Sequence, residues 1–139
     1  MAQLKAGSTM DGKALAVLDV NNFADSIQSQ MNLKDCGTIT KVHGGTGGGT
    51  EDFDLTDGNS HSATVDTSTN TFTFSNPTAA PSLCIFTIVL TNGGSQTVNW
   101  PGSVTWVTGV APTLLVSGVN VLLFFTIDGG TIWYGVSVK

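Results

Sequence analysis

The sequence predicts an all-β protein: an antiparallel β-sandwich or jelly-roll-like domain, preceded by an extended N-terminal arm that carries one short helix. Three observations lead to this prediction. Charged residues make up only 11% of the 139 residues, and Thr, Ser, Gly and Asn supply most of the polarity. Glycine and proline turns interrupt the chain at short intervals. Between these turns lie short segments rich in Val, Ile, Phe and Thr, which favour strands.

Residues 1–50 are predicted to form the arm. The first part of this segment combines turn-like pieces with one short apolar stretch, too little to build a core. Residues 21–31 are the helix candidate, because three apolar side chains recur there at i, i+4 and i+8 and share one face. So short a helix is marginal in isolation, so we expect this face to dock on the β-domain or on a partner. The three residues are Phe23, Ile27 and Met31.

The glycine-rich segment GGTGGG, residues 44–49, is predicted to be a flexible hinge between the arm and a β-domain of residues 51–139. A phosphate cradle is the alternative interpretation. It would need the lysine and Ser/Thr of a P-loop, or a strand–loop–helix context, and the sequence has neither.

The predicted strands are short and closely spaced, as in sandwiches and barrels. Asp128-Gly129-Gly130 is the strongest hairpin signal in the chain, and TSTN at 67–70 is a second hairpin-like turn. The predicted strands cover residues 38–42, 51–56, 62–66, 71–75, 84–91, 96–100, 104–107, 119–128 and 131–138.

One predicted strand is apolar on both faces. In VNVLLFFTI, residues 119–127, one face can fill the domain interior, but the other needs a second cover to avoid aggregation. We expect that cover to be the arm or a neighbouring subunit, which predicts an oligomer, a dimer or trimer. The interface candidates in this strand are Leu122, Leu123, Phe124 and Phe125.

Charge argues against several partners. The chain has no arginine, five scattered lysines and a net charge of −5, whereas nucleic-acid binding and electrostatic membrane anchoring both need clustered cations. No signal-peptide pattern opens the sequence, and its apolar runs fall short of the roughly 20 residues that a membrane helix needs. We therefore expect neither nucleic acid nor membrane as a partner, and synthesis in the cytoplasm without secretion.

The candidate metal and thiol chemistry is weak. Cys36 and Cys84 could pair, but two buried thiols are the favoured interpretation. An acidic cluster departs from the calcium-binding EF-hand loop, since Asp57 stands where that loop needs its turn glycine. An irregular calcium site is the alternative to solvated carboxylates on a strand and turn. The cluster comprises Glu51, Asp52, Asp54 and Asp57.

No catalytic constellation is visible, so we expect neither an enzyme nor a cofactor. His43 and His61 are the two histidines, and neither has a zinc-like spacing to a cysteine. A Cys36–His43 nucleophile pair would lack any recognisable oxyanion-hole or nucleophile-elbow sequence. The large aromatics could line a carbohydrate platform, but packing is the favoured interpretation. They are Trp100, Trp106, Trp133 and Tyr134.

Three features stand out in residues 71–135, about half of the chain: LTNGGSQTVNWP, APTL and FFTIDGGTIWYG. With these features the segment resembles the β-domain of small virion structural proteins and fibre-like proteins of tailed phages, notably those of cyanobacterial and other aquatic hosts. The N-terminal LKAGSTMDGKALA is similar to short segments of phage tail-fibre chains. The resemblance implies a virion component, often oligomeric, with neither cofactor nor enzyme activity.

Two roles fit this resemblance. A capsid decoration (cement) protein would attach to the major capsid protein or other virion proteins and stabilise the shell. A tail fibre or receptor-binding appendage is the alternative, but such chains carry a long shaft or repeats that this sequence lacks. A lectin-like carbohydrate-binding module is the second alternative. We expect the decoration role, with the protein located in the virion.

Overall fold

The computed structural model describes residues 38–138, which all belong to one compact unit, Gly37–Lys139. These residues are all-β, as predicted, and contain no helix. The predicted helix with Phe23, Ile27 and Met31 lies outside the described residues. The strands are β1 (Thr40–Gly45), β2 (Gly49–Asp54), β3 (Ser60–Thr64), β4 (Asn70–Ser75), β5 (Cys84–Thr91), β6 (Val98–Asn99), β7 (Val104–Trp106), β8 (Val119–Thr126) and β9 (Trp133–Val138).

The strands form two sheets between which the chain alternates. Sheet A has six strands in the order β1-β3-β5-β8-β9-β7, and sheet B has three in the order β2-β4-β6. From β1 to β6 the polypeptide therefore forms a coil of three successive turns, and each turn of the coil adds one strand to each sheet. After these turns, β8 pairs antiparallel with β5, and β9 pairs antiparallel with β8, so both extend sheet A.

The prediction of an antiparallel domain was wrong for most of the pairings. β1–β3–β5, β2–β4–β6 and β7–β9 pair in parallel, so both sheets contain parallel ladders and sheet A is mixed. For β1 to β6 the physical reason is the alternation between sheets: each of these strands meets its sheet neighbour only after a crossover through the other sheet, which returns the chain in the same direction. The turn at 67–70 is accordingly no hairpin, because β3 and β4 lie in different sheets.

The glycine-rich segment at 44–49 is the turn between β1 and β2, so it lies inside the β-domain rather than between an arm and that domain. Its backbone is hydrogen-bonded on both sides: Thr46 N–H donates to Thr64 at 2.9 Å, and Gly49 N–H donates to Thr69 at 2.9 Å. Gly47 has a φ of 65°, in the left-handed region that glycine adopts without a steric penalty. The predicted domain boundary after residue 50 falls within β2.

Aromatic side chains pack the two sheets together. Phe74 of β4 reaches across to Phe86 of β5 at 4.9 Å between ring centroids and to Phe124 of β8 at 4.8 Å. It also meets Trp133 of β9 edge-on at 5.6 Å. Phe86 and Phe124 stack on each other within sheet A, with centroids 5.2 Å apart. Such pairs add to the gain from apolar burial because their quadrupoles favour tilted and offset contacts.

The hairpin predicted at Asp128-Gly129-Gly130 is confirmed, because β8 and β9 pair in antiparallel register. Both glycines have positive φ values, 71° and 89°. The Asp128 carboxylate accepts hydrogen bonds from the Thr126 hydroxyl at 2.7 Å and from the Ile132 N–H at 3.0 Å. These contacts lower the pKa of Asp128, with the backbone bond from Ile132 as the largest cause.

We predict that Phe86→Ala lowers the free energy of unfolding by about 3–5 kcal/mol, because Phe86 is fully buried in the aromatic layer. Ile85→Ala is the matched control, since Ile85 is the preceding residue and points to the opposite face with 41% exposure. Its loss should be about 1–2 kcal/mol. Urea unfolding of the full chain measures both, and equal losses would contradict the assignment of the two faces.

Candidate functional site

The outer face of sheet A is apolar across three adjacent strands, β5, β8 and β9. Inward and outward residues alternate along β5, β8 and β9, so every second side chain points away from the core. The strand register aligns the outward residues in rows across the sheet, and in the first row the rings of Phe125 and Tyr134 stack at 5.1 Å. The rows are Ile85–Phe125–Tyr134, Thr87–Leu123–Val136 and Val89–Val121–Val138. We call these nine residues the apolar face.

The apolar face carries no charge and remains partly open to solvent. Its most exposed members include Val138 at 55% and Ile85 at 41%. On its β3 flank the outward residues are Ser60, Ser62 and Thr64, which are also uncharged. Contiguous exposed patches of large apolar side chains are uncommon on monomeric proteins, and in other proteins they often mark sites of association with another molecule.

The outer face of sheet B has the opposite character. Asp52 of β2 accepts hydrogen bonds from the hydroxyls of Thr73 at 2.7 Å and Ser75 at 2.6 Å on the neighbouring strand β4. Asp54 accepts from the side-chain amide of Asn76 at 3.0 Å. Charged and hydroxyl groups that bond each other across a sheet are suited to face water. The two outer faces of the domain therefore differ in chemistry, and only that of sheet A is suited to burial.

The four predicted interface residues of β8 point in two directions: two face the core and two face outward. Leu122 and Phe124 are fully buried in the core, so they are not available to a partner. Leu123 and Phe125 point outward and belong to the apolar face. Strand alternation was anticipated, but which residue faces outward depends on the register with β5 and β9. The other members of the apolar face on β5 and β9 were not singled out from the sequence as interface residues.

The large aromatics serve mainly as packing, as predicted. Trp133 is 1% exposed, and Trp100 contacts Phe72 at 5.3 Å and Trp106 at 5.2 Å between ring centroids. Tyr134 alone of the four predicted aromatics lies on the apolar face. The Cys84 thiol is free and buried, in agreement with the favoured interpretation, and Cys36 lies outside the described residues.

The acidic cluster does not converge on a common point. Among residues 38–138, no three or more His, Cys, Asp or Glu side chains are arranged to hold a metal ion. Asp54 is instead engaged locally, and its pKa is lowered first by the Asn76 hydrogen bond and then by the bonds from Thr56. Asp57 forms an ion pair with Lys41 at 3.0 Å, exposed to solvent.

The two histidines, which lie 18 residues apart in the sequence, meet in the interior. His43 Nε2 is 3.0 Å from His61 Nδ1, and His43 Nδ1 is 2.5 Å from Glu51 Oε1. His61 Nε2 lies 3.0 Å from the carbonyl oxygen of Gly58. Burial lowers the pKa of His61, and the neighbouring His43 lowers it further. Sequence-spacing rules for metal sites do not detect this cluster, because His43 and His61 come together only through the parallel pairing of β1 with β3.

A groove of about 460 Å³ runs beside β7 and β9, bordered by Trp106, Pro112 and Val136. Val136 also belongs to the apolar face, so the groove adjoins that face. Its border contains no charged residue, which again favours an apolar or backbone partner over an ionic ligand. Within the part of the chain described, no helix is long and apolar enough to span a bilayer.

Comparison of the chain with protein-family models, with curated proteins and with solved structures found no match.

We predict that Phe125→Asp leaves the β-domain folded, whereas Phe124→Asp unfolds it. The two residues are neighbours on β8, but Phe124 is fully buried and Phe125 points outward. A carboxylate at position 124 would lose its hydration without a partner, at a loss of more than about 4 kcal/mol. Amide NMR spectra of the two variants measure the difference. If both variants unfold, or both stay folded, the assignment of Phe124 to the inner face and Phe125 to the outer face of β8 is contradicted.

Proposed function

We propose that this chain is a structural protein of a tailed-phage virion, and that it acts as a capsid decoration (cement) protein on the major capsid shell. The observation that supports an assembly role is the apolar face: an uncharged, partly exposed surface on one side of a domain whose other side is polar. The phage setting comes from the resemblance of residues 71–135. On this proposal the protein is assembled into virions in the host cytoplasm.

The proposed contact is a sheet face rather than a pocket. Each large apolar side chain that a partner covers is worth roughly 1.5–3 kcal/mol, so a few of them suffice for stable association. Contacts repeated over a shell add by avidity, which lets individually weak contacts stabilise a large particle. We further propose that the domain is of the sandwich type and forms a homo-oligomer, a dimer or trimer, through this face, without nucleic acid, membrane, cofactor or catalysis.

A fibre-like appendage is the second candidate, and one observation favours it. The chain winds through three turns of parallel strands, and a coil of this kind can be lengthened by adding turns, as in solenoid proteins. This regularity takes the place of the shaft or sequence repeat that the fibre interpretation requires. The number of copies per particle distinguishes the two roles. Hundreds of copies, counted by quantitative mass spectrometry of purified virions, indicate the shell, and a handful indicates the tail.

We predict that Leu123→Asp and Phe125→Asp each convert the assembled protein into monomers, because each places a charge in the middle of an apolar contact. Sedimentation of the full chain measures the molar mass. Thr71→Asp is the matched control, since Thr71 is exposed on the outer face of sheet B and the variant adds the same charge. The control should keep the native mass. If the wild-type chain is itself monomeric and no variant alters attachment to the particle, the apolar face is not the contact.

A further inference from the structure

A buried chain of hydrogen bonds links Glu51, His43, His61 and the Gly58 carbonyl. It has no role in the proposed assembly surface. It joins three strands: His43 lies on β1, Glu51 on β2 and His61 on β3. His61 is fully buried, and the side chains of His43 and Glu51 are 5% and 22% exposed. Buried polar groups of this kind must be paired, because an unpaired one loses its hydration without compensation.

The hydrogen-bond donors and acceptors determine which protons this chain of hydrogen bonds contains. The Gly58 carbonyl oxygen can only accept, so His61 Nε2 must carry a hydrogen. Burial keeps His61 neutral, which leaves its Nδ1 as an acceptor, and His43 Nε2 must then be the donor across the 3.0 Å contact. The last link joins His43 Nδ1 and Glu51 Oε1, and it needs one more hydrogen.

We propose that a single exchangeable proton held between His43 and Glu51 closes this chain of hydrogen bonds. The proton makes the first turn of the coil, strands β1 and β2, a pH-sensitive latch: a contact that holds the two strands together only while the proton is present. The proton sits on His43 as an imidazolium beside a carboxylate, or on Glu51 as a neutral acid beside a neutral imidazole, and both arrangements satisfy every link. Once it leaves, two acceptors face each other, either at the His43–Glu51 contact or at the His43–His61 contact.

The latch acts where the fold has least other support. Among the described strands, β1 pairs only with β3 and β2 pairs only with β4, so both are edge strands. The His43–Glu51 contact links these two edges across the sheets. Proton loss therefore weakens the first turn selectively and frees its edges, which are the strands able to pair with another chain. β5, β8 and β9 are held by their own ladders and are not affected.

The surroundings hold few other charges. Phe53 and Phe86 pack on the histidine rings, with Phe53 4.8 Å from His43 and Phe86 5.8 Å from His61 between centroids. Asp54 of β2 and Asp57 of the following turn raise the pKa of His61, but less than burial and His43 lower it. Lys41 of β1 is engaged by Asp57. The nearby carboxylates thus favour retention of a proton in the chain.

The sign of the effect follows from proton binding. The closed arrangement in the folded protein contains this proton and the opened first turn does not need it, so proton release favours opening and the latch opens as the pH rises. On the acid side a different effect acts. The lowered pKa of His61 means that the folded state resists taking up a second proton, so stability also falls as the pH drops below about 6.5, the ordinary value for histidine.

Glu51→Gln provides a sharp test. A glutamine amide can donate permanently to His43 Nδ1, so the chain stays closed without an exchangeable proton. Glu51→Ala removes the partner and opens the chain at every pH. Asp52→Asn is the matched control, because it removes the same charge from the adjacent residue, whose side chain bonds outward to Thr73 and Ser75.

Amide hydrogen exchange of the full-length protein, corrected for the intrinsic pH dependence of exchange, measures how strongly the amides next to the latch are protected. In the wild type and in Asp52→Asn, protection of the Thr46 and Gly49 amides should fall by about tenfold or more between about pH 6 and about pH 9, relative to the amides of β5 and β8. Glu51→Gln should hold its protection over this range, and Glu51→Ala should lack it throughout. A flat wild-type profile, or a Glu51→Gln profile that follows the wild type, overturns the proposal.

A second measurement does not depend on the variants. The chain contains two histidines, so 15N labelling of histidine gives two ring systems. We expect His61 to carry its proton on Nε2, and its Nδ1 signal to change in step with the titration of His43 and Glu51. Two rings that titrate independently, each with the tautomers of free histidine, would contradict the hydrogen-bonded chain.

Discussion

The aromatic layer between the two sheets is the contact on which the rest of this structure depends. The coil alternates between sheets, so neighbouring strands in one sheet are separated by a strand of the other, and few local contacts hold any turn. Phe74 of sheet B meets Phe86, Phe124 and Trp133 of sheet A, and thereby joins the parallel coil to the antiparallel β8–β9 extension. Large rings can span the gap between facing sheets, and their tilted contacts add to the apolar burial that stabilises both.

Because one layer of aromatic and aliphatic side chains fills the interior, the domain has two outer faces, and these differ. The hydroxyls and carboxylates of sheet B bond each other in rows and are suited to water, whereas the outward residues of β5, β8 and β9 are mostly aliphatic or aromatic. The interior between the two sheets does not include this second apolar surface. On the proposed assembly role, association with another molecule would cover this excess of apolar residues in β8. The proposed histidine latch lies elsewhere, at the β1 end of sheet A.

Much of the element pattern could be predicted from alternation and turn residues. The strand at Cys84–Thr91 was predicted with its observed bounds, and the Asp128-Gly129-Gly130 hairpin was predicted because glycine readily adopts positive φ. Sheet membership could not be predicted in this way. TSTN resembles a hairpin turn locally, yet it connects strands of different sheets, and a glycine-rich segment resembles a linker whether or not its backbone is paired. Turn composition describes the bend and carries no information on where the next strand pairs.

The sequence by itself determined the all-β class, the mainly packing role of the tryptophans and the presence of a strand apolar on both sides, because these follow from composition and from the two-residue period of a strand. Only the tertiary structure decided the parallel coil, the outward orientation of Leu123 and Phe125, and the meeting of His43, Glu51 and His61. Each of these depends on register between segments distant in the chain. Register is set by the packing of the whole interior, which no single segment encodes.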